Sequence, residues 1–159
     1  MKRNTLPSGY WRNPIHFTAC GFGTGAAAYA PGTWGTLIGI PLYILMSSLS
    51  WQVFILVTFG LFVFGVWLCD RTAKDFNVHD HPGIVWDEVV GFLVTMIAVP
   101  FEWHWILLGF LLFRLFDIWK PWPIKVIDKG VHGGMGIMLD DVLAGVFGLI
   151  IMHVVMRIF

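Results

Sequence analysis

Of ten acidic residues, five are placed where they can do chemistry together. Asp87 and Glu88 are adjacent in IVWDEVVGF, Asp140 and Asp141 are adjacent in GGMGIMLDDVLAG, and Asp117 follows Arg114 by three residues in FRLFDIW. Each group lies at one end of an apolar run. An all-oxygen donor set with no His or Cys pattern suits a hard cation, and Mg²⁺ is the usual partner of carboxylates that work with phosphate oxygens. The residues therefore point to a Mg²⁺ site drawn from Asp87, Glu88, Asp117, Asp140 and Asp141. The plainer alternative is that each acidic pair only favours a helix N-terminus.

The basic residues and glycines near these acids suggest what else binds. Arg114 lies about one turn inside LLGFLLFRLFDIW. At the centre of a membrane span an unpaired guanidinium would cost roughly 2.5–3.5 kcal/mol. It needs Asp117 as a salt-bridge partner or a phosphate gripped by its planar fork, and the two are compatible. Lys120 follows the same run, immediately before Pro121. Gly133, Gly134 and Gly136 precede Asp140, and glycine-rich backbone entering a helix can cradle phosphate or allow close helix packing. Close packing is the expectation for Gly35 and Gly39. The candidate substrate-binding residues are thus Arg114, Lys120, Gly133, Gly134 and Gly136, with Thr33 and Thr36 of APGTWGT. His79 and His81 flank Asp80 and read as solvated loop residues, a metal or proton-transfer role being the alternative. Asp70/Lys74 and Arg71/Asp75 have the i,i+4 spacing of surface ion pairs.

These residues must be positioned by an unusually apolar chain. Its 159 residues are 57% hydrophobic and only 13% charged, with mean hydropathy +0.76. That excludes a disordered chain and argues against a soluble globule. Net charge is zero, so the electrostatic footprint of a nucleic-acid binder is missing. Cys20 and Cys69 give no disulfide framework or metal spacing and read as small apolar fillers. From Trp34 to Cys69 no residue is charged. One helix over that stretch would reach about 54 Å, well past a hydrocarbon core of about 30 Å, so it must turn back, at Ser47, Ser48 and Ser50. The expected spans are 34–49, 51–69, 84–100, 103–119 and 142–159. The Gly/Ala-rich stretch before Trp34 reads as an interfacial or re-entrant helix. The fold expected is all-α: one domain over 1–159, a small polytopic membrane helix bundle of about four to five spans.

If the spans alternate, nine of the ten Lys and Arg residues fall on one side and only Arg157 on the other, which puts the nine-residue side in the cytoplasm. Nine Trp residues fall near the two proposed boundaries, Trp86 among them, as an interfacial belt would. All the acids except Glu102 lie toward the cytoplasmic ends. The span centres carry no carboxylate, which disfavours an ion pathway. The N-terminus lacks the uninterrupted apolar region of a cleaved signal.

Five blocks in this sequence, APGTWGT at 30–36, the Asp70/Asp75/Asp80 spacing, PGIVWDEVVGF at 82–92, FRLFDIWKPWPI at 113–124 and GGMGIMLDDVLAG at 133–145, together resemble the phosphatidylglycerophosphatase A family. The resemblance covers nearly the whole chain in the family's order. It implies a Mg²⁺-dependent lipid phosphatase of the bacterial inner membrane, converting phosphatidylglycerophosphate to phosphatidylglycerol and phosphate. Carried over by motif, the residues at issue are Asp87 and Glu88, Asp117 with Arg114, and Asp140 and Asp141.

Other phosphatase chemistries fail on the residues themselves. No Asp is followed two residues later by another Asp, and the positions six beyond each cysteine hold Ala26 and Asp75 rather than Arg. Pro7-Ser8-Gly9 is followed by Tyr10 where a histidine-based lipid phosphatase would need His. The mechanism expected is in-line hydrolysis of a terminal phosphomonoester, with Asp87, Glu88, Asp117, Arg114 and Asp141 as catalytic residues and direct water attack or an aspartyl-phosphate intermediate both open. The expected partners are the membrane-embedded substrate and the bilayer, with no nucleic acid and no obligate protein partner. A small ion-coupled transporter and a non-catalytic membrane scaffold are the competing classes.

Overall fold

The computed structural model describes residues 6–78 and 80–158. His79, Lys2, Arg3 and Phe159, which enter the readings above, fall outside them. Among the described residues every regular element is helical. In order they are a 3₁₀ turn Tyr10–Arg12, α1 (Pro14–Ala19), a 3₁₀ stretch Gly21–Ala26, α2 (Pro31–Met46), α3 (Trp51–Asp75), α4 (Trp86–Thr95), α5 (Trp103–Trp119), α6 (Ile124–Gly130) and α7 (Gly133–Ile158).

Local chemistry sets several of these limits. Asn13 accepts from Ile15 N at 3.0 Å to open α1, and Pro14 takes the first helical position, where its missing N–H costs nothing. Pro31 plays the same part in α2. The serine-rich turn ends when Ser50 accepts from Val53 N at the start of α3. Lys120 closes α5 in the left-handed conformation (φ 44°), and Pro121 prevents its continuation.

Helix α4 is the hub, packing against α2, α3, α5 and α7. Its approach to α7 is backbone-close: a Cβ on Gly145 would strike Gly91 O, and one on Gly91 would strike the Phe113 ring and crowd Asp141 O. Thr95 Oγ1 donates to Gly91 O and Gly145 O, both at 3.2 Å, across that seam. Gly35 and Gly39 allow α2 the same closeness to Val85 and Phe92, as expected from their spacing. The far end of α4 is tied down: Tyr43 Oη donates to Val99 O at 3.0 Å, and His153 Nε2 donates to Ile97 O at 2.9 Å. The core around α4 includes Tyr43, Phe92, Met96, Phe113 and Met152, all buried.

Two helices, α3 and α7, are long and apolar enough to cross a membrane. Their setting separates them from core helices of a soluble protein. Leu56 is 68% exposed, Phe59 61% and Ile118 72%, within broad outward faces of large apolar side chains on α3 and α5. In water such faces would be a large penalty; against lipid they are neutral. The chain is a membrane protein.

Several expected boundaries shift. Helix α4 has ten residues where a span over 84–100 was expected, and at about 15 Å it is too short to cross alone. Helix α3 continues to Asp75 instead of stopping near Cys69, because Asp70/Lys74 and Arg71/Asp75 pair along it at 2.6 and 3.1 Å. Helix α2 begins and ends three residues earlier than the span 34–49. The largest shift is in α7, which begins at Gly133 and not Val142. Gly134 lets it start early: its N–H donates to Asp70 Oδ1 at 3.2 Å, and a Cβ there would strike Val66 O. The expected N-terminal helix is instead α1 followed by a 3₁₀ stretch that is itself kinked at Phe22 and Gly23, which have positive φ. Trp86 is also not a belt residue; it is 6% exposed and its Nε1 donates to Leu61 O at 3.3 Å. Both cysteines are buried fillers, and burial pushes the Cys20 thiol up to about 12.

Candidate active site

The acidic residues chosen from the sequence converge on one cavity of about 270 Å³, walled by the first turns of α2 and α4, the last turn of α5, and α6 and α7. Asp87 and Glu88 occupy the first turn of α4, where the helix dipole favours negative charge. The turn is anchored by Val85 N, which donates to Ala19 O at 2.9 Å. Asp140 and Asp141 come from α7. Because that helix starts early, they sit about two turns inside it and do not open it, so helix capping does not account for them. One carboxylate oxygen from each of Asp87, Glu88 and Asp141 lies within 4.8 Å of the others.

Two cations flank this triad, and each is tethered by carboxylates. Arg114 Nη1 donates to Asp117 Oδ2 one turn along α5, the salt bridge that its depth demanded. Lys120 Nζ donates to Asp140 Oδ2 at 2.6 Å and to Asp128 Oδ1 at 2.7 Å. Burial would lower the Lys120 pKa, but these two hydrogen bonds outweigh it and hold the ammonium above its ordinary value. The left-handed backbone at Lys120 turns this side chain from the end of α5 toward α6 and α7.

Several buried polar atoms in the cavity have no hydrogen-bond partner: Asp87 Oδ1, Glu88 Oε2, Asp140 Oδ1, Asp141 Oδ2 and Arg114 Nε. Buried polar groups are normally satisfied, so a cluster of anionic oxygens left open beside an open guanidinium nitrogen marks a place prepared for ligands of both signs. The donor set is hard, anionic and convergent, which fits a divalent cation. Gly32, at the second position of α2, forms the opposite wall; a Cβ there would strike Glu88 Oε1 and reach Arg114 Nη1 at 3.0 Å.

Among the substrate-binding candidates, Arg114, Lys120 and Gly136 line the cavity and the others do not. Gly133 and Gly134 face α3, beside Asp70, and serve helix packing and not a phosphate-facing loop. Thr36 is buried with its hydroxyl donating to Gly32 O at 2.8 Å, and Thr33 is not in the cavity wall. From APGTWGT it is Ala30, Pro31 and Gly32 that line the site. Sequence reasoning also missed Asp128 and Asp80, both in the wall. Asp128 lies eight residues from Lys120 across a proline-broken turn, a separation no helical period connects. Gly32 was legible in part: it sits in a block already singled out, where threonine hydroxyls drew attention away from the glycine.

Buried carboxylates left open beside a tethered arginine are the equipment with which hydrolases can hold a divalent cation and a phosphoryl group together. Comparison with known proteins supplies the family. The family model described as Phosphatidylglycerophosphatase A matches residues 17–156. A Phosphatidylglycerophosphatase A of Escherichia coli (strain K12) is 50% identical over 142 residues, which cover 89% of this chain and 83% of that protein. One of Haemophilus influenzae is 48% identical over 145 residues, covering 90% of this chain and 89% of its own length. No solved structure matches the chain significantly. The chain belongs to the phosphatidylglycerophosphatase A family, a family of phosphoric monoester hydrolases.

Proposed function

We propose that this protein is a Mg²⁺-dependent lipid phosphatase that converts phosphatidylglycerophosphate to phosphatidylglycerol and inorganic phosphate at the cytoplasmic face of a bacterial inner membrane. The observation that carries the reading is the set of partnerless buried carboxylate oxygens facing Arg114 and Lys120 across one cavity. Membership of the family supports the substrate. The concentration of Lys and Arg on one side of the proposed topology supports the cytoplasmic face. In that topology α2, α3, α5 and α7 cross the bilayer, α4 runs part-way and the segment after it completes a crossing to Pro100, which Tyr43 near the far end of α2 holds, and the segment before Pro31 lies at the interface.

Asp87, Glu88 and Asp141 would hold Mg²⁺. When bound, the ion supplies Lewis acidity and a more acidic water. The rest of the work belongs to the protein. Arg114 neutralises charge on the equatorial phosphoryl oxygens, with Asp117 fixing the guanidinium while its Nε is left without a hydrogen-bond partner. Lys120 sets a second positive group at the rim, held by Asp128 and Asp140. Gly32 leaves room for a phosphoryl group that any side chain would fill. The acyl chains stay in the bilayer along the outward apolar faces, so only the headgroup enters. Direct in-line attack by water is the simplest route, and it inverts configuration at a chiral phosphorus where an aspartyl-phosphate route retains it.

The test is phosphate release from phosphatidylglycerophosphate in detergent micelles, with Mg²⁺ or EDTA, for wild type and Asp87→Asn. Metal-dependent release that the folded variant loses is the expected result. Release unaffected by EDTA overturns the metal part, and no release from any lipid phosphomonoester by folded protein overturns the reaction.

A further inference from the structure

The charges in the cavity do not balance around a single ion. Among the described residues, seven carboxylates, Asp80, Asp87, Glu88, Asp117, Asp128, Asp140 and Asp141, line it with only Arg114 and Lys120, a deficit of five positive charges. One divalent cation leaves three of those charges unmatched inside a largely buried site that must then accept a phosphate dianion. Two divalent cations leave one. The number of ligands argues in the same direction, since Mg²⁺ normally takes one or two carboxylates and completes its shell with water and phosphate oxygens.

The geometry divides the carboxylates into two sets. Asp87, Glu88 and Asp141 form the close triad. Asp117 and Asp140 stand outside it, and each gives one oxygen to a cationic side chain: Asp117 Oδ2 to Arg114 and Asp140 Oδ2 to Lys120. Asp140 is the informative one. Its side chain is 9% exposed, it lines the cavity, and its Oδ1 has no partner although Lys120 occupies Oδ2. If Lys120 alone satisfied Asp140, a buried anionic oxygen would not be left open. Asp141 belongs to the triad and directly follows Asp140 on α7, so it is the member that joins the two sets.

We infer that the cavity binds two divalent cations that share Asp141, the first on Asp87 and Glu88, the second on Asp140 and Asp117. This rests on the proposed metal-dependent reading of the same cavity and adds a second cation site, with Asp141 as the bridging ligand. Paired ions are suited to in-line displacement at phosphorus because they stabilise the attacking and leaving oxygens together.

The test counts ions and does not depend on turnover. Purified full-length protein in detergent is titrated with Mn²⁺, and bound metal is measured by elemental analysis and electron paramagnetic resonance. The expected result is two ions per chain with the signal of a spin-coupled pair. Asp140→Asn and Glu88→Gln should each retain one ion and lose the coupling, and Asp128→Asn, which is outside both ligand sets, should retain two. A single uncoupled Mn²⁺ in the wild type, at saturating metal, overturns the inference whatever the variants do. Phosphate release measured on the same samples separates the two readings. One ion with intact metal-dependent hydrolysis sinks the pair and leaves the phosphatase. Two coupled ions with no hydrolysis of any lipid phosphomonoester sinks the phosphatase and leaves the pair.

Discussion

Gly32→Ala adds one methyl group and no charge, and it tests whether the site depends on the close fit of α2 against Glu88. The new Cβ would collide with Glu88 Oε1, lie 3.0 Å from Arg114 Nη1 and 3.2 Å from Glu88 Cδ. Restoring ordinary contact distances requires a shift of about 1 Å. Glu88 Oε1 ends a flexible side chain, so the carboxylate can swing aside, and the stability cost belongs at the low end of the roughly 1–3 kcal/mol typical of overpacking. Catalysis has no such freedom. A misplacement of about 1 Å in a positioned group costs on the order of 100-fold in rate, equivalent to about 2.7 kcal/mol of barrier. The expected signature is thus a large loss of kcat with a small loss of thermal stability. The assay is Mg²⁺-dependent phosphate release alongside thermal unfolding in the same detergent. Gly60→Ala is the control, since a Cβ there meets nothing within 4 Å, and it should leave activity unchanged. Wild-type kcat in Gly32→Ala would refute the claim that this wall positions Glu88 and Arg114.

Two further predictions address the cations. Arg114→Lys keeps the charge but loses the planar fork, so kcat/KM should fall roughly 10²–10³-fold with little change in unfolding temperature; near wild-type kcat/KM would remove Arg114 from phosphate recognition. Lys120 has a folded pKa raised above its ordinary 10.5, so its stabilising contribution is complete below that value and is lost only as pH rises through the higher folded value. Lys120→Met should therefore lower the unfolding temperature equally near pH 7 and near pH 9. A destabilisation that disappears by pH 9 would contradict the pairing with Asp128 and Asp140.

The acids of the site were legible because they break apolar runs, where charge is costly and conspicuous. Asp87, Glu88, Asp117, Asp140 and Asp141 all meet in one cavity, and the Arg114–Asp117 pair follows from a guanidinium buried one turn deep. What local pattern could not disclose was set by packing between distant elements. The early start of α7 depends on Gly134 fitting against Val66 O, a contact that connects the beginning of one helix to the end of another. The burial of Trp86 depends on a bond to Leu61 O, twenty-five residues away. The division between the triad and the tethered acids is equally invisible in the sequence, since Asp140 and Asp141 are neighbours with different partners. Hydropathy identified apolar stretches correctly but misjudged the length of α4, because burial against protein and burial in lipid favour the same residues.

Helix α4 carries Asp87 and Glu88 at one end and is tied by Tyr43 and His153 at the other. It behaves as a short rod clamped at its base, with the reactive groups at its tip. A tilt of about 4° over its roughly 15 Å length moves the tip by about 1 Å, the displacement that is expensive at a phosphoryl-transfer centre. The hydroxyl of Tyr43 and the imidazole of His153 never approach the substrate, yet they set the aim of the carboxylates that do. Sensitivity to substitution in this protein therefore follows the axis of one short helix, reaching residues at the end remote from the chemistry, and does not fall off as a sphere around the cavity.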